Sequence, residues 1–262
     1  MTQSIEGRIV DVAQKEIFEG SIVVENGRIA AVNRHPVGGG GYIMPGFIDA
    51  HMHIESSMLT PENFGNAVIG EGTVAVVTDP HEIANVMGMD GIEFMLENSR
   101  KSPLKAFFTI PSCVPATPFD CSGGVVSSAD VDKLAASGRF VALSEMMDIP
   151  GVLSGNKEVA SKLDAARKHG LPIDGHAPLL RGGDLKAYAA RGISTDHESS
   201  SLAEAEEKRA LGMKILIREG SAARNYEALK PLIGLHPEVV MFCTDDSHAH
   251  ELLTAGHIRK LV

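Results

Sequence analysis

The chain has 262 residues, is 44% hydrophobic and carries a net charge of -10 at pH 7. That apolar content suffices for one full core of barrel size. The acidic balance excludes a nucleic-acid binder, which needs a basic face toward phosphate. No run of ~20 apolar residues offers a membrane span. The start of the chain, with Glu6 and no long apolar region, does not read as a signal peptide. Three cysteines, Cys113, Cys121 and Cys243, are scattered and form no Cys-x-x-Cys pair, so a reduced, cytoplasmic protein is expected. The eleven histidines are the compositional anomaly.

In chain order, residues 1–45 read as a small N-terminal β module, a partial β-sandwich. Its strands are expected at 7–12, 20–25 and 27–32, with Asn26-Gly27 as the hairpin turn between the last two and a glycine run at 38–41 closing the module. From 46 to 262 the pattern becomes strand, loop, helix, repeated. Apolar strands are expected at 47–50, 73–78, 104–109, 140–143, 171–174, 193–195, 213–217 and 239–244. Helices are expected at 61–70, 90–100, 129–137, 157–169, 184–190, 202–211 and 226–232. Eight strands alternating with helices predict parallel pairing, an α/β fold and a TIM-like (β/α)8 barrel.

A barrel of this type gathers its chemical groups where the strands end. The first strand ends in His51 and His53, two residues apart and so on one side of the strand. Asp79, His81 and Glu82 follow the second strand, Glu145 the fourth, His176 the fifth, His197 and Glu198 the sixth, and Asp245 and Asp246 the eighth. Any one of these alone reads as a cap or a surface group. A ring of imidazoles and carboxylates at one rim is costly to bury unless a cation or mutual pairing offsets it. His51, His53, Glu145, His176, His197 and Asp245 make six ligands, more than a single tetrahedral catalytic site takes up. Two ions sharing a carboxylate bridge and a hydroxide would use them all, lowering the pKa of the water between them. Asp245 beside that hydroxide is placed to take its proton and pass it on.

The runs IMPGFIDAHMHIESSM, TDPHEIANV, LSEMMDIPGV, DGHAPLL, STDHESS and FCTDDSH, in this order over nearly the whole chain, resemble the amidohydrolase superfamily and, within it, the bacterial adenine deaminase branch. The resemblance implies a binuclear centre of manganese or iron, a set of nitrogen and oxygen ligands that also accepts zinc. It implies hydrolytic deamination of adenine, a small-molecule purine, to hypoxanthine and ammonia. Carried over by position, His51 and His53 match the first ligand pair, Glu145 the bridge, His176 and His197 the ligands of the second ion, and Asp245 the strand-eight aspartate, with Asp246 as its rival. Asp79, His81 and Glu82 belong to a motif that looks peculiar to this branch and would flank the ligands or face substrate.

A general acid must protonate the purine or the departing amine, and Glu82, Glu198 and His81 are all candidates. Arg218 would hydrogen-bond the base or pair with a neighbouring acid. Ser56 and Ser57 read as turn or capping hydroxyls, and Met87, Met89, Met146 and Met147 as core or pocket wall. Members of the family resemble a longer protein, in which later residues return to complete the β module. A truncated chain is therefore expected ahead of a short natural homologue or a half that meets another chain, its β module exposed and prone to self-association into a homo-oligomer. Two alternatives remain: an amidohydrolase acting on another base or cyclic amide, and a non-catalytic metal-binding fragment.

Overall fold

The structure, a computed structural model, describes residues 2–117 and 119–262. Its contacts divide into two units, Met1–Gly46 and Phe47–Val262.

In the first unit, β1 (Thr2–Asp11) and β2 (Glu16–Glu25) pair antiparallel along their whole length, from Thr2 opposite Glu25 to Asp11 opposite Glu16. β3 (Arg28–Arg34) pairs antiparallel with β2. Asn26 and Gly27 make that turn with φ of 51° and 74°, the left-handed pair that suits a right-twisted hairpin. A short β4 (Tyr42–Ile43) adds parallel to β1, giving the order β3-β2-β1-β4. The three expected strands are present and longer than their apolar runs suggested. Ile5, Ile17, Ile29 and Val32 stand exposed on this sheet.

The second unit follows the alternating pattern. Its strands are β5 (Phe47–His53), β6 (Thr73–Thr78), β7 (Lys105–Ile110), β8 (Ala142–Met146), β9 (Ile173–Gly175), β10 (Thr195–Asp196), β11 (Lys214–Arg218), β12 (Val240–Cys243) and β13 (Asp245–Asp246). All pairs are parallel, in a six-stranded sheet β13-β5-β6-β7-β8-β9 and a three-stranded sheet β10-β11-β12. Ile173 of β9 bridges to Ile193, just ahead of β10. Thr244 alone separates β12 from β13, and β13 pairs with β5. The result is a curled parallel sheet of the TIM-like kind.

The ends of the strands differ from expectation in a way that matters for the site. β5 runs on through His53, and β8 runs to Met146, so His51, His53 and Glu145 are strand residues with fixed backbones rather than loop residues. Helices Pro61–Val68, Met89–Ser99, Ser128–Ala136, Lys157–Lys168, Gly182–Ala189 and Leu202–Ala210 lie where expected. The expected helix at 226–232 is split into Tyr226–Leu229 and Pro231–Leu235, because Pro231 cannot continue a helical ladder. Two further helices, His81–Met87 and Ile149–Ser154, follow β6 and β8 almost at once. They are too short for their apolar period to stand out. Among the described residues, no helix is long and apolar enough to cross a membrane.

The core lies between the sheet and its helices, with Met52, Phe64, Val76, Phe108, Leu143 and Leu163 all buried. Each such side chain contributes roughly 1.5–3 kcal/mol relative to exposure. Met146 belongs to this core and Met147 packs against it, while Met87 is exposed. Ser57 donates to the Ile54 carbonyl at 2.6 Å, a turn hydroxyl as expected.

Candidate metal centre

His51 and His53 leave β5 on its buried side and point their rings at one place. His51 Nδ1 is 2.8 Å from a carboxylate oxygen of Asp174, to which it donates. Its Nε2 has no hydrogen-bond partner and faces Asp245 Oδ1 at 3.7 Å and Glu145 Oε1 at 3.9 Å. His53 Nδ1 donates to the carbonyl of Asp79 at 3.0 Å. Its Nε2 lies 3.1 Å from Asp245 Oδ1 and 3.4 Å from Glu145 Oε1. In both rings an acceptor fixes the proton on Nδ1 and aims Nε2 at the same two carboxylates, which is how metal-ligating histidines are held.

Glu145, on β8, stands at the centre. Its Oε1 faces His53, while its Oε2 is 2.7 Å from His176 Nδ1 and 3.2 Å from His197 Nε2. The two oxygens of one buried carboxylate thus serve two different histidine pairs. His197 is buried, its ring stacks on His51 at 4.0 Å between centroids, and neither of its nitrogens has a hydrogen-bond partner. An imidazole with two orphaned nitrogens inside a protein is a costly arrangement unless something absent from the chain occupies one of them.

Asp245 reaches the cluster through an unusual backbone, with φ of +53°. Aspartate enters this left-handed region more readily than most residues, and such conformations gather at functional sites. The bend turns one oxygen to His51 and His53 and the other to Arg218, whose guanidinium also grips both oxygens of Glu198. Asp246 instead accepts from the Ser56 hydroxyl and meets His53 and Glu82 at the rim. His81 Nδ1 is 2.7 Å from Asp79 Oδ2, and Asp79 also accepts from Ser144, buried behind His81.

Over the cluster opens a cavity of about 290 Å³ whose walls include His81, Glu82, Met147, His176, Glu198 and Arg218. The twelve singled-out residues come together here: nine line the cavity, while His51 and His197 lie beneath it and Asp79 backs His81.

The charges follow from burial and pairing. Burial pulls the His51 imidazolium down, but Asp174, with Asp245 and Glu145, outweighs it and holds His51 well above the usual histidine range. His53 is raised in the same way by Asp245, Glu145 and Glu82 against its own burial. Burial pushes the Glu145 carboxyl up, and the imidazoles of His176, His197 and His53 beside it more than reverse this, leaving it well below the usual carboxylate range. Asp245 is likewise lowered, by His51 and His53 against its burial. The ring thus binds positive charge strongly, as protons on imidazoles or as cations in their place.

The donor set fits divalent metal. Several groups of three or more histidine and carboxylate donors have ligand atoms within 4.8 Å of one another, among them His51, His53 and Asp245, and Glu145, His176 and His197. Nitrogen and carboxylate oxygen in this mixture suit manganese, iron or zinc.

Asp174 and Asp49 were not singled out in the sequence. Asp174 holds His51, while Asp49 accepts from the backbone of His51 at 3.2 Å and from the Thr244 hydroxyl at 2.6 Å, next to Asp245. The available signal was alternation: each sits two residues before a candidate ligand, His176 and His51, on a strand of period two.

Residues 42–250 match the model of the Amidohydrolase family. The chain belongs to the amidohydrolase family. It is 57% identical over 256 residues to an adenine deaminase from Methanosarcina mazei, covering 98% of this chain and 46% of that protein. It is 48% identical over 261 residues to an adenine deaminase from Parabacteroides distasonis, covering 100% of this chain and 48% of that protein. The chain thus spans about half the length of the curated relatives it matches. Among solved structures, a triazine hydrolase variant superposes with a TM-score of 0.65 at 16% identity, over 97% of this chain and 75% of that one. This amidohydrolase family member therefore shares the TIM-like fold of distant hydrolases.

Proposed function

We propose that this chain carries the catalytic barrel, residues 46–262, of an adenine deaminase, preceded by a β module at 1–45. The reaction adds water at C6 of adenine and releases hypoxanthine and ammonia. The observation that carries the reading is Glu145, whose two oxygens face separate histidine pairs. The adenine deaminases at 57% and 48% identity support the substrate.

His51, His53 and Asp245 would hold one divalent ion, His176 and His197 a second, and Glu145 would be common to both. Manganese or iron is the proposed metal, with zinc compatible. When bound, such a pair supplies an acidified water and polarises the bond under attack. Asp245, with one oxygen turned to His51 and His53, would be the residue placed to take a proton from the attacking water and return it toward the purine.

Both oxygens of Glu198 are engaged by Arg218, so Glu198 stays an acceptor, suited to the exocyclic amine's N–H. Glu82 keeps one oxygen without a partner at the cavity wall. It is therefore the better placed donor to the ring nitrogen or the departing amine, with His81, steadied by Asp79, as the neighbouring candidate.

The test is to load the chain with manganese under reducing conditions, add adenine, and measure ammonia and hypoxanthine together. Equimolar release that vanishes in Glu145→Gln supports deamination. Two bound ions with no ammonia from adenine would sink it, and product from a ring-opened amide would point to another amidohydrolase reaction.

A further inference from the structure

Lys208 carries a full positive charge into the interior and takes no part in the chemistry above. It lies in the helix Leu202–Ala210, with its side chain entirely shielded from solvent. A buried ammonium is costly unless every proton finds an acceptor. Here each does: Nζ donates to the Ala177 carbonyl at 2.6 Å, to Asp196 Oδ2 at 2.8 Å and to Glu204 Oε1 at 2.8 Å.

The acceptors are themselves tied to the two loops that carry the second histidine pair. Asp196 precedes His197 and accepts the backbone N–H of Ala177 at 3.0 Å, of Glu198 at 3.2 Å and of Ser199 at 3.0 Å. Glu204 accepts the backbone N–H of Leu179 at 2.9 Å and of Ser200 at 3.1 Å. Ala177, the residue after His176, thus has its N–H on Asp196 and its carbonyl on Lys208. One cation joins the loop after β9 to the loop after β10.

We propose that Lys208 is a positioning residue that sets His176 and His197 in register with each other, so that both meet Glu145 at once. His51 and His53 are placed by β5 instead, with His51 also held by Asp174 of β9 and stacked on His197. Removing the ammonium leaves Asp196 and Glu204 buried and uncompensated, and the two loops then separate from each other rather than from β5. The inference rests on the two-ion reading for its metal readout, and on His176 and His197 alone for its structural one.

The experiment compares the chain with Lys208→Met by two readouts. In the metal-free form, 15N spectra of the imidazoles should show His176 and His197 shifted or broadened while His53, which stacks on neither, keeps its position. On titration with manganese(II), the second equivalent should bind about 10–100-fold more weakly, with the first within about twofold. Glu204→Gln keeps the acceptor for Leu179 but removes one counter-charge, and should weaken the second equivalent in the same direction by less. If Lys208→Met does not fold, Glu204→Gln decides alone. A folded variant with all four imidazole signals unchanged overturns the proposal, as does equal weakening of both equivalents. Should the unaltered chain take up no manganese, the two-ion reading falls, and the imidazole spectra still judge the brace.

Discussion

His51 Nδ1 lies 2.8 Å from the carboxylate of Asp174, and both side chains are nearly shut off from solvent. The pair fixes which nitrogen of His51 is free. Replacing Asp174 by Asn removes the charge that orients the ring while keeping its size. The expected result is a loss of about 10–100-fold in metal affinity, measured by competition against a chelator, with the far-UV spectrum unchanged.

Asp245 combines a carboxylate at the cluster with a left-handed backbone. Asp245→Asn keeps a residue that tolerates this conformation and removes the proton acceptor. Turnover should fall roughly 10²–10⁴-fold, with the far-UV spectrum of the folded chain retained. Asp245→Val adds backbone strain of about 1–3 kcal/mol, so its melting temperature should fall below that of the Asn variant.

Tyr188 is fully buried and serves two backbone groups, donating to the Met146 carbonyl at 2.7 Å and accepting the His176 N–H at 3.0 Å. Tyr188→Phe strands both and should cost about 1–3 kcal/mol by urea denaturation. The loss falls between β8 and the residue that faces Glu145, so metal retention should fall with it.

Far from the site, Ser127 and Asp130 cap the helix Ser128–Ala136 reciprocally. Side-chain and backbone hydrogen bonds from Ser127 hold the Asp130 carboxyl below its ordinary value. A carboxyl lowered by folding stabilises the folded state above its unfolded pKa of about 3.9. That contribution is lost as pH falls through the folded value. Ser127→Ala should cost about 1 kcal/mol at pH 7, and the gap between variant and parent should narrow below about pH 4, leaving the Asp130 N–H to Ser127 hydroxyl bond as the part that does not titrate.

Much of this was legible because two periods carry it. The apolar strands and amphipathic helices gave the alternating α/β order, and residues at strand ends gave the cluster around Glu145. What escaped was set by contacts distant in sequence. The backing of His51 by Asp174 joins β5 to β9, and the tripod at Lys208 joins two loops to a later helix. Neither leaves a local pattern, since a lysine or aspartate inside a helix or strand reads the same whether buried or solvated. The choice between Asp245 and Asp246 turned on a backbone angle that spacing does not encode.

The most direct measurement is a manganese(II) titration of the chelator-treated chain, followed by electron paramagnetic resonance and by metal content after gel filtration. Two ions per chain are predicted, with a signal weakened by coupling across Glu145 and restored to that of isolated ions in Glu145→Gln. A folded chain that retains one ion or none, or two whose signals never couple, would contradict the shared-carboxylate centre.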